Sequence, residues 1–312
     1  MMLKLTQDDV KKIESFMINK TRDLELALYN CLIDGDDNLM VSYALSMYQN
    51  GDGGFGHGLE PDNTCPSSST IATEYALSLL RRIGYDKSNL DEMTKTMVNR
   101  AFKYIFSQET DGNYLYPVSP DVNQYPHAPW WSYSDDCARN WKNNPGASLY
   151  AMALHFLNSK TKFYSLALNR LKTCIDEYLE EDDCSRHVVV LYEKVYEILT
   201  NEKINYKNQE LFEKISKDIK RLISPKEEWR KDYPTYPFDL ITSDLYLTND
   251  LQELFEESLD FLIESRTKIG VWDITWKWNN EYEDEYEVAR IKWMGILAVN
   301  YLEILKKNGR VL

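Results

Sequence analysis

The stretch Gln49 to Phe55, with the sequence QNGDGGF, follows a predicted helix and contains the clearest turn signal of the chain. Asp-Gly pairs favour turns, because glycine adopts a positive φ at little cost. Two further stretches repeat the order helix, polar residue, turn glycine and aromatic: Ser107 to Tyr114 (SQETDGNY) and Glu264 to Trp272 (ESRTKIGVW). We expect each aromatic to fold back over the end of its helix. Repeats of this kind are typical of a circular or solenoid array of helical hairpins.

Helical periodicity dominates the sequence on both sides of these turns. No convincing run of alternating strand residues is present. The sequence therefore predicts an all-α protein. The predicted helices are eleven, at residues 6–31, 39–49, 67–84, 88–108, 146–158, 162–181, 185–200, 207–223, 239–247, 249–265 and 284–307.

Long connections are predicted at 50–67, 109–145, 224–238 and 266–283. Each follows an even-numbered helix, and helices joined by short turns are usually antiparallel neighbours. The long connections should therefore meet at one end of the helices. Seven of the 8 Trp lie in them. We expect an aromatic surface there, because long irregular connections in compact domains are usually functional.

Composition excludes several classes of protein. The 312 residues include 36 Lys and Arg against 50 Asp and Glu, a net charge of −14, which disfavours nucleic acid and anionic membranes as partners. No apolar stretch fits a signal peptide or a membrane-spanning segment. The five cysteines are scattered and odd in number, which favours reduced thiols. We expect a cytoplasmic globular protein that binds a small molecule.

The repeats of helix, Gln, Asp-Gly-Gly and aromatic resemble those of the terpenoid cyclase and protein prenyltransferase superfamily. The runs His57 to Asp62 (HGLEPD), Ala128 to Trp131 (APWW) and Gly270 to Trp276 (GVWDITW) look like a bacterial prenyltransferase-like, or squalene-cyclase-like, branch. The resemblance implies an α/α toroid, with inner and outer rings of eleven or twelve helices in a single domain over residues 1–312. It also implies an isoprenoid or another apolar ligand.

Two family motifs match this chain only formally. Residues 34–37 (DGDD) fit the acidic motif of squalene-hopene-type cyclases, but they lie in a short turn, which we interpret as a solvated acidic turn. Residues 135–137 and 182–184 fit the Asp-x-Cys part of a prenyltransferase zinc site. No later histidine sits in a matching motif, and no closely spaced His and Cys ligands occur. We therefore predict neither a metal site nor a cofactor.

The predicted catalytic residues are His57, Glu60, Asp62 and Asp135. A carboxylate desolvated among tryptophans has a raised pKa and can act as a general acid. Asp135, which precedes another acid at 136, could pair with Glu60 or Asp62, since glycoside hydrolysis needs carboxylates about 5–10 Å apart. The alternative is structural: the two loop carboxylates cap the next helix or tie the loop down, and His57 is a hydrogen-bonding post.

Aromatic residues of the long connections are the predicted ligand-binding wall. Aromatic walls stabilise cations or stack on sugar rings; the alternative is ordinary packing over helix ends. We expect one ring of the Trp pair at 130–131 to face a ligand while the other packs beneath it. The predicted ligand-binding residues are Phe55, Trp130, Trp131, Trp272, Asp273, Trp276 and Trp278.

Three functions fit these residues. The first is an isoprenoid-related enzyme or binder with Glu60 or Asp62 as the acid. The second is a carbohydrate-active α/α-barrel enzyme, a hydrolase or lyase with paired carboxylates. The third is a non-catalytic binding protein. An acidic pocket fits a neutral or cationic ligand better than a diphosphate, which weakens the first hypothesis.

Overall fold

The computed structural model describes residues 2–108, 114–231 and 233–312. These ranges are helical and contain no β-strand, only isolated bridges. The all-α prediction is therefore confirmed. The α-helices of the described ranges are α1 Gln7–Lys20, α2 Asp23–Tyr29, α3 Leu39–Ser46, α4 Thr70–Arg82, α5 Glu92–Ser107, α6 Cys137–Trp141, α7 Gly146–Phe156, α8 Lys162–Glu180, α9 Arg186–Asn201, α10 Asn208–Leu222, α11 Pro237–Leu240, α12 Gln252–Glu264 and α13 Glu283–Lys307.

Side-chain caps set where three of these helices begin. Thr6 and Asp9 form a reciprocal capping box at α1, where the predicted first helix also begins. The Ser69 hydroxyl accepts from the third residue of α4, within the predicted serine run. Asp91 accepts from two backbone N–H groups of α5, so that helix begins later than the Ser88 predicted for it. Each cap satisfies backbone donors that the first turn leaves open.

The first predicted helix, 6–31, is wrong as a single element. The chain becomes extended at Thr21, whose hydroxyl donates to the Met17 carbonyl oxygen (2.7 Å). It turns helical again after Arg22, which forms an ion pair with the fully buried Glu25 (2.6 Å). Apolar periodicity continues across this break, so the pattern does not reveal it. Helix α6 was not predicted. The predicted helix at 239–247 is wrong, because α11 ends at Leu240 and only the 3-10 turn Asp244–Tyr246 follows within that range.

The chain divides into two compact units. The central unit is Leu45–Arg221, and the terminal unit joins Met1–Ala44 to Leu222–Leu312. The prediction of a single domain over residues 1–312 stays a prediction.

Helix α7 is the core of the central unit. Almost all of its side chains are buried, and α4, α5, α8 and α9 pack against it. A helix that is apolar on every side is stable only when other helices surround it. The sequence of α7, GASLYAMALHF, combines small and large apolar residues, which allows neighbouring helices to approach closely. Helices α4 and α9 thus lie against one common helix.

The terminal unit holds the two ends of the chain together. Leu5 N donates to the Arg310 carbonyl oxygen (2.8 Å), and Leu312 N donates to the Leu5 carbonyl oxygen (3.0 Å). The buried Arg310 guanidinium forms ion pairs with Glu256 and Asp260 of α12 (2.5 Å each). A buried charge needs such partners. Helix α12 therefore fixes the C-terminal residues, and these fix the N-terminal segment.

The glycine turn of the central unit closes with two backbone hydrogen bonds. Asn50 N donates to the Gly54 carbonyl oxygen (2.8 Å), and Gly53 N donates back to the Asn50 carbonyl oxygen (3.0 Å). Gly53 has φ +98°, a conformation that glycine adopts cheaply. Phe55 follows the last residue of the turn, Gly54, and is fully buried. Its carbonyl oxygen accepts from Ser69 N (2.9 Å) at the start of α4.

The terminal unit contains the same turn after α12. Thr267 N donates to the Val271 carbonyl oxygen (2.8 Å), and Gly270 N donates back to the Thr267 carbonyl oxygen (2.9 Å). Gly270 has φ +90°. Trp272 folds back as predicted, since its indole Nε1 donates to the Leu262 carbonyl oxygen (2.7 Å) in the last turn of α12. The predicted repeat is confirmed in these two places; residues 109–113 of the third lie outside the described residues.

Replacing Gly53 by alanine is expected to destabilise the protein by about 2–4 kcal/mol, through backbone strain and a steric clash. A Cβ atom at Gly53 would lie 2.4 Å from the Arg100 carbonyl oxygen of α5. Gly51 is the matched control: its φ is not positive, and a Cβ there would meet nothing within 4 Å. Gly51→Ala should change the stability by less than about 0.5 kcal/mol. Urea unfolding followed by circular dichroism measures both; equal stabilities would contradict the prediction.

Candidate functional site

The first two long connections meet in the central unit. Ala128 N donates to the Asp62 carbonyl oxygen (2.8 Å), and Thr64 N donates to the Pro126 carbonyl oxygen (3.1 Å). These bonds place the segment of the predicted loop acids beside the segment that leads into Trp130. The predicted convergence of long connections is thus confirmed for this pair.

His57 and the glycine turn form one hydrogen-bonded assembly. His57 is exposed, has φ +57°, and its Nε2 donates to Asn50 Oδ1 (2.7 Å). Asn50 Nδ2 donates in turn to Ser68 Oγ (3.0 Å), and the Arg100 guanidinium donates to the Asn50 carbonyl oxygen (2.6 Å). These bonds support the alternative in which His57 has a structural role and holds the loop in place by a hydrogen bond.

The predicted catalytic acids Glu60 and Asp62 are both buried. Asn63 N donates to the Glu60 carbonyl oxygen (3.2 Å), and Asp62 joins the pairing of the two connections through its backbone. This placement is compatible with the structural alternative, and their catalytic role stays a prediction. Phe55 differs from the prediction more clearly: its ring is fully buried in the core, so no part of it is open to a ligand.

The adjacent tryptophans of the second connection point in different directions, as predicted. They lie in the short 3-10 turn Pro129–Trp131. Trp130 is 39% exposed, whereas Trp131 is buried and stacks on Trp141, with 4.8 Å between ring centroids. The buried stack fixes the turn, and the turn presents the Trp130 ring to solvent.

Asp135 lies just beyond this turn and is exposed, as is Asp136. The Tyr116 hydroxyl donates to the Asp135 backbone oxygen (3.5 Å), and the rings of Tyr116 and Tyr133 lie 5.6 Å apart. The carbonyl oxygen of Tyr116 accepts from the hydroxyl of Thr70 (2.6 Å), the first residue of α4. The Asp135 segment is therefore tied to the N-terminal end of α4.

The other predicted wall residues belong to the terminal unit. Trp272 and Trp278 are buried, so they pack over helix ends and form no exposed wall. This burial agrees with the alternative of ordinary packing, because an indole has a large apolar area that is buried wherever a core is available. Their role toward a ligand stays a prediction. Trp276 is half-buried, with edge contacts to Tyr233 (6.1 Å) and Trp293 (5.2 Å), which shows that the third and fourth connections also meet.

Asp273 does not present an open carboxylate either. Arg290 of α13 binds both of its oxygens, with Nε donating to Oδ1 (2.9 Å) and Nη2 donating to Oδ2 (2.5 Å). The hydrogen bonds that Arg290 donates to Asp273, and then to Glu287, raise the pKa of Arg290 further above its ordinary value. This bidentate pair joins the last long connection to α13.

A polar cluster that sequence reasoning missed lies between α4 and α9 of the central unit. Glu74 Oε1 accepts from Lys194 Nζ (2.6 Å), Ser148 Oγ (2.6 Å) and Ser78 Oγ (2.9 Å). Lys194 Nζ also donates to Ser78 Oγ (2.7 Å). Ser148 is buried on α7, beneath the other members.

A second ion pair joins the same two helices about two turns further along α4 and one turn further along α9. Both terminal nitrogens of Arg81 donate to Glu197, at 3.0 Å each. The acid is thus on α4 in the first pair and on α9 in the second. The name polar groove denotes the residues that carry these contacts: Glu74, Ser78 and Arg81 of α4, Lys194 and Glu197 of α9, and Ser148 below.

Glu74 is an ionised carboxylate in this groove. Burial alone would raise its pKa, but the charge and hydrogen bond of Lys194, with the hydroxyls of Ser148 and Ser78, outweigh it and lower the pKa below 4.5. The side chains of Glu74 and Lys194 remain 14% and 20% exposed. An ionised carboxylate of this kind can accept hydrogen bonds or act as a nucleophile. It is poorly suited to act as a general acid, the role predicted for the loop acids.

The sequence carries a weak signal for this groove. Glu74, Ser78 and Arg81 have helical spacing i, i+4, i+7, which places them on one face of α4. Lys194 and Glu197 share a face of α9 in the same way. In the sequence both faces look like ordinary solvent-exposed polar faces. A local pattern cannot show that residues more than one hundred positions apart are in contact.

The structure adds no support for the two formal matches to family motifs, the acidic motif at residues 34–37 and the Asp-x-Cys zinc motif. Residues 34–37 are exposed, in agreement with a solvated acidic turn. In the part of the chain that the structure describes, no group of three or more His, Cys, Asp or Glu side chains is placed to hold a metal ion. The same part contains no helix of the length and apolar character needed to cross a membrane.

Comparison with protein-family models, with curated proteins and with solved structures returns no match for this chain. The likeness to the terpenoid cyclase and protein prenyltransferase superfamily therefore stays a prediction from its motifs.

Replacing Glu74 by glutamine is expected to destabilise the protein by about 2 kcal/mol at pH 7, because Lys194 loses its partner in a largely buried place. The pKa of Glu74 is lowered on folding, so its ionised form contributes stability above pH 4.5 and loses it as the pH falls through the folded value. The difference between wild type and Glu74→Gln should therefore shrink below about pH 4.

Urea unfolding at pH 7 and at several values between pH 3 and pH 5 tests this dependence. Glu197→Gln is the matched control, since it also removes a bridge between α4 and α9 but its side chain is 55% exposed. That change should cost less than about 1 kcal/mol. A Glu74→Gln defect that is equal at all pH values would contradict the prediction.

Proposed function

We propose that this protein binds a neutral, polyhydroxylated ligand, namely an oligosaccharide, at the connections of the central unit. The observation that carries the proposal is the exposed Trp130 ring, which belongs to the same connection as the exposed carboxylates Asp135 and Asp136. An exposed aromatic face stacks on a sugar ring, and carboxylate oxygens accept hydrogen bonds from its hydroxyls. A tryptophan is usually well buried, so its exposure at a fixed turn needs a reason.

The turn that carries Trp130 is held by its neighbours. Trp131, the last residue of the turn, stacks on Trp141, and the backbone bond between Ala128 and Asp62 anchors its start. A binding surface that is already ordered loses little conformational entropy when a ligand binds. This preorganisation supports a binding role for the turn.

The polar character of the central unit favours an oligosaccharide over an isoprenoid. An isoprenoid needs an apolar enclosure, but Phe55 and Trp131 are occupied in packing. A diphosphate would need clustered cations, whereas the chain has a net charge of −14. The isoprenoid hypothesis remains the main competitor, and the binding experiment below distinguishes the two.

Glycan hydrolysis or elimination is the reaction that paired carboxylates in this region would perform. Asp135 is the carboxylate open to a bound ligand, and Glu60 is the acid enclosed in the facing connection. Glycoside hydrolysis uses two carboxyl groups that flank the scissile bond. Release of reducing ends from the bound oligosaccharide, abolished by Asp135→Asn, would establish the enzyme; binding without release would leave a carbohydrate-binding protein.

We also propose that the helices close into an α/α toroid, as the resemblance implies. The identical glycine turns after Gln49 and after α12 support a repeated hairpin unit. The pairing of Leu5 with residues 310–312 supports ring closure, because a ring brings its two ends together. A crystal structure with alternating inner and outer helices in a closed ring would support the proposal, and an open array would overturn it.

Titration calorimetry against neutral gluco-, xylo-, manno- and galacto-oligosaccharides, and against farnesol and geranylgeraniol, tests the proposed function. We expect an oligosaccharide to bind and Trp130→Ala to weaken it at least tenfold, about 1.4 kcal/mol. Leu166→Ala removes an exposed apolar side chain from α8 of the same unit and should leave the affinity unchanged. Binding of the isoprenoid alcohols alone, or equal affinities for wild type and Trp130→Ala, would overturn the proposal.

A further inference from the structure

The polar groove keeps a hydrogen-bond acceptor open. Oε1 of Glu74 receives all three hydrogen bonds of that side chain, from Lys194, Ser148 and Ser78. No described residue donates to Oε2. The Glu74 side chain is 14% exposed, so this second oxygen can accept from a molecule in the groove.

The groove keeps a donor open beside that acceptor. A lysine ammonium group carries three N–H donors. Lys194 uses two of them, toward Glu74 and Ser78, and makes no third hydrogen bond to a described residue. Its side chain is 20% exposed. One donor and one acceptor therefore lie next to each other, and both are reachable from solvent.

The charges of the groove decide what kind of ligand fits this pair. Glu74 faces Lys194, and Arg81 faces Glu197, so the acids and bases balance. An anion would be repelled by Glu74, and a cation would be repelled by Lys194. A neutral group that both donates and accepts meets neither repulsion. Two neighbouring hydroxyls of a sugar ring have this character.

We propose that Glu74 and Lys194 bind two neighbouring hydroxyl groups of a neutral sugar in the polar groove. Glu74 Oε2 accepts from one hydroxyl, and Lys194 Nζ donates to the other. This inference rests on the proposed function and adds a second place where the same oligosaccharide is held.

The fold connects the groove to the loops that carry Trp130 and Asp135. Thr70 and Glu74 lie one turn apart on α4, and Thr70 binds Tyr116, whose hydroxyl reaches the Asp135 backbone. The groove thus begins at the end of α4 to which these loops are tied.

Met152 of α7 supplies a reporter for the groove, because its sulfur lies 3.8 Å from Ser78 Oγ. The experiment uses protein labelled with ¹³C at the methionine methyl groups, with Met152→Leu to assign the signal. The oligosaccharide of highest affinity for the wild-type protein is titrated in, and its affinity is then measured by calorimetry for Glu74→Gln and Lys194→Met. Glu92→Gln changes an exposed acid of α5 in the same unit and is the control.

We expect the Met152 signal to shift on binding, both groove variants to lose at least tenfold in affinity, and Glu92→Gln to lose none. The two groove variants remove opposite members of the pair, and thermal unfolding identifies any variant that fails to fold. Binding with an unmoved Met152 signal, or with affinities of the folded variants within twofold of wild type, would overturn the groove site while the Trp130 proposal stands. Absence of binding by every oligosaccharide would overturn both.

Discussion

The close approach of the glycine turn to helix α5 is the constraint on which the central unit depends. A side chain at Gly53 would overlap the Arg100 carbonyl oxygen, so the turn fits only because a Cβ atom is missing. The turn buries Phe55, whose backbone binds Ser69 and thereby fixes the start of α4. Helix α4 carries Glu74, and the segment that follows the turn pairs with the connection of Trp130. Both proposed binding places therefore depend on this one backbone contact.

Electrostatics and burial change the chemistry that the residues offer. The sequence is strongly acidic, and a desolvated loop acid was the predicted catalytic group. The structure places Glu74 beside Lys194, and this partner outweighs the effect of burial on the pKa. An ionised, hydrogen-bonded carboxylate holds hydroxyls better than it donates a proton. The balanced charges of the polar groove select for neutral ligands, although the chain as a whole repels anions.

Aromatic residues show where the site could and could not be predicted. The opposite exposures of Trp130 and Trp131 follow from a local turn, and the sequence predicted that adjacent rings would separate. The burial of Phe55, Trp272 and Trp278 depends instead on which helix ends lie nearby. An indole in a loop buries its area against any available core, and only tertiary contacts show whether a core is available. These three rings and Trp131 are buried in packing contacts, and Trp130 is the exposed member in the central unit; their roles toward a ligand stay predictions.

The sequence by itself determined the helical class, most helix positions, the capping box of Thr6 and Asp9, and the repeated glycine turn. These features depend on interactions within a few residues, so a local pattern is enough to predict them. The tertiary structure alone decided the break at Thr21, the pairing of Asp62 with Ala128, and the meeting of Glu74 with Lys194. The partners in the last two contacts are distant in sequence, and each residue by itself is compatible with an ordinary solvated position. Their chemistry arises only when packing on α7 brings α4 and α9 together and removes much of the surrounding water.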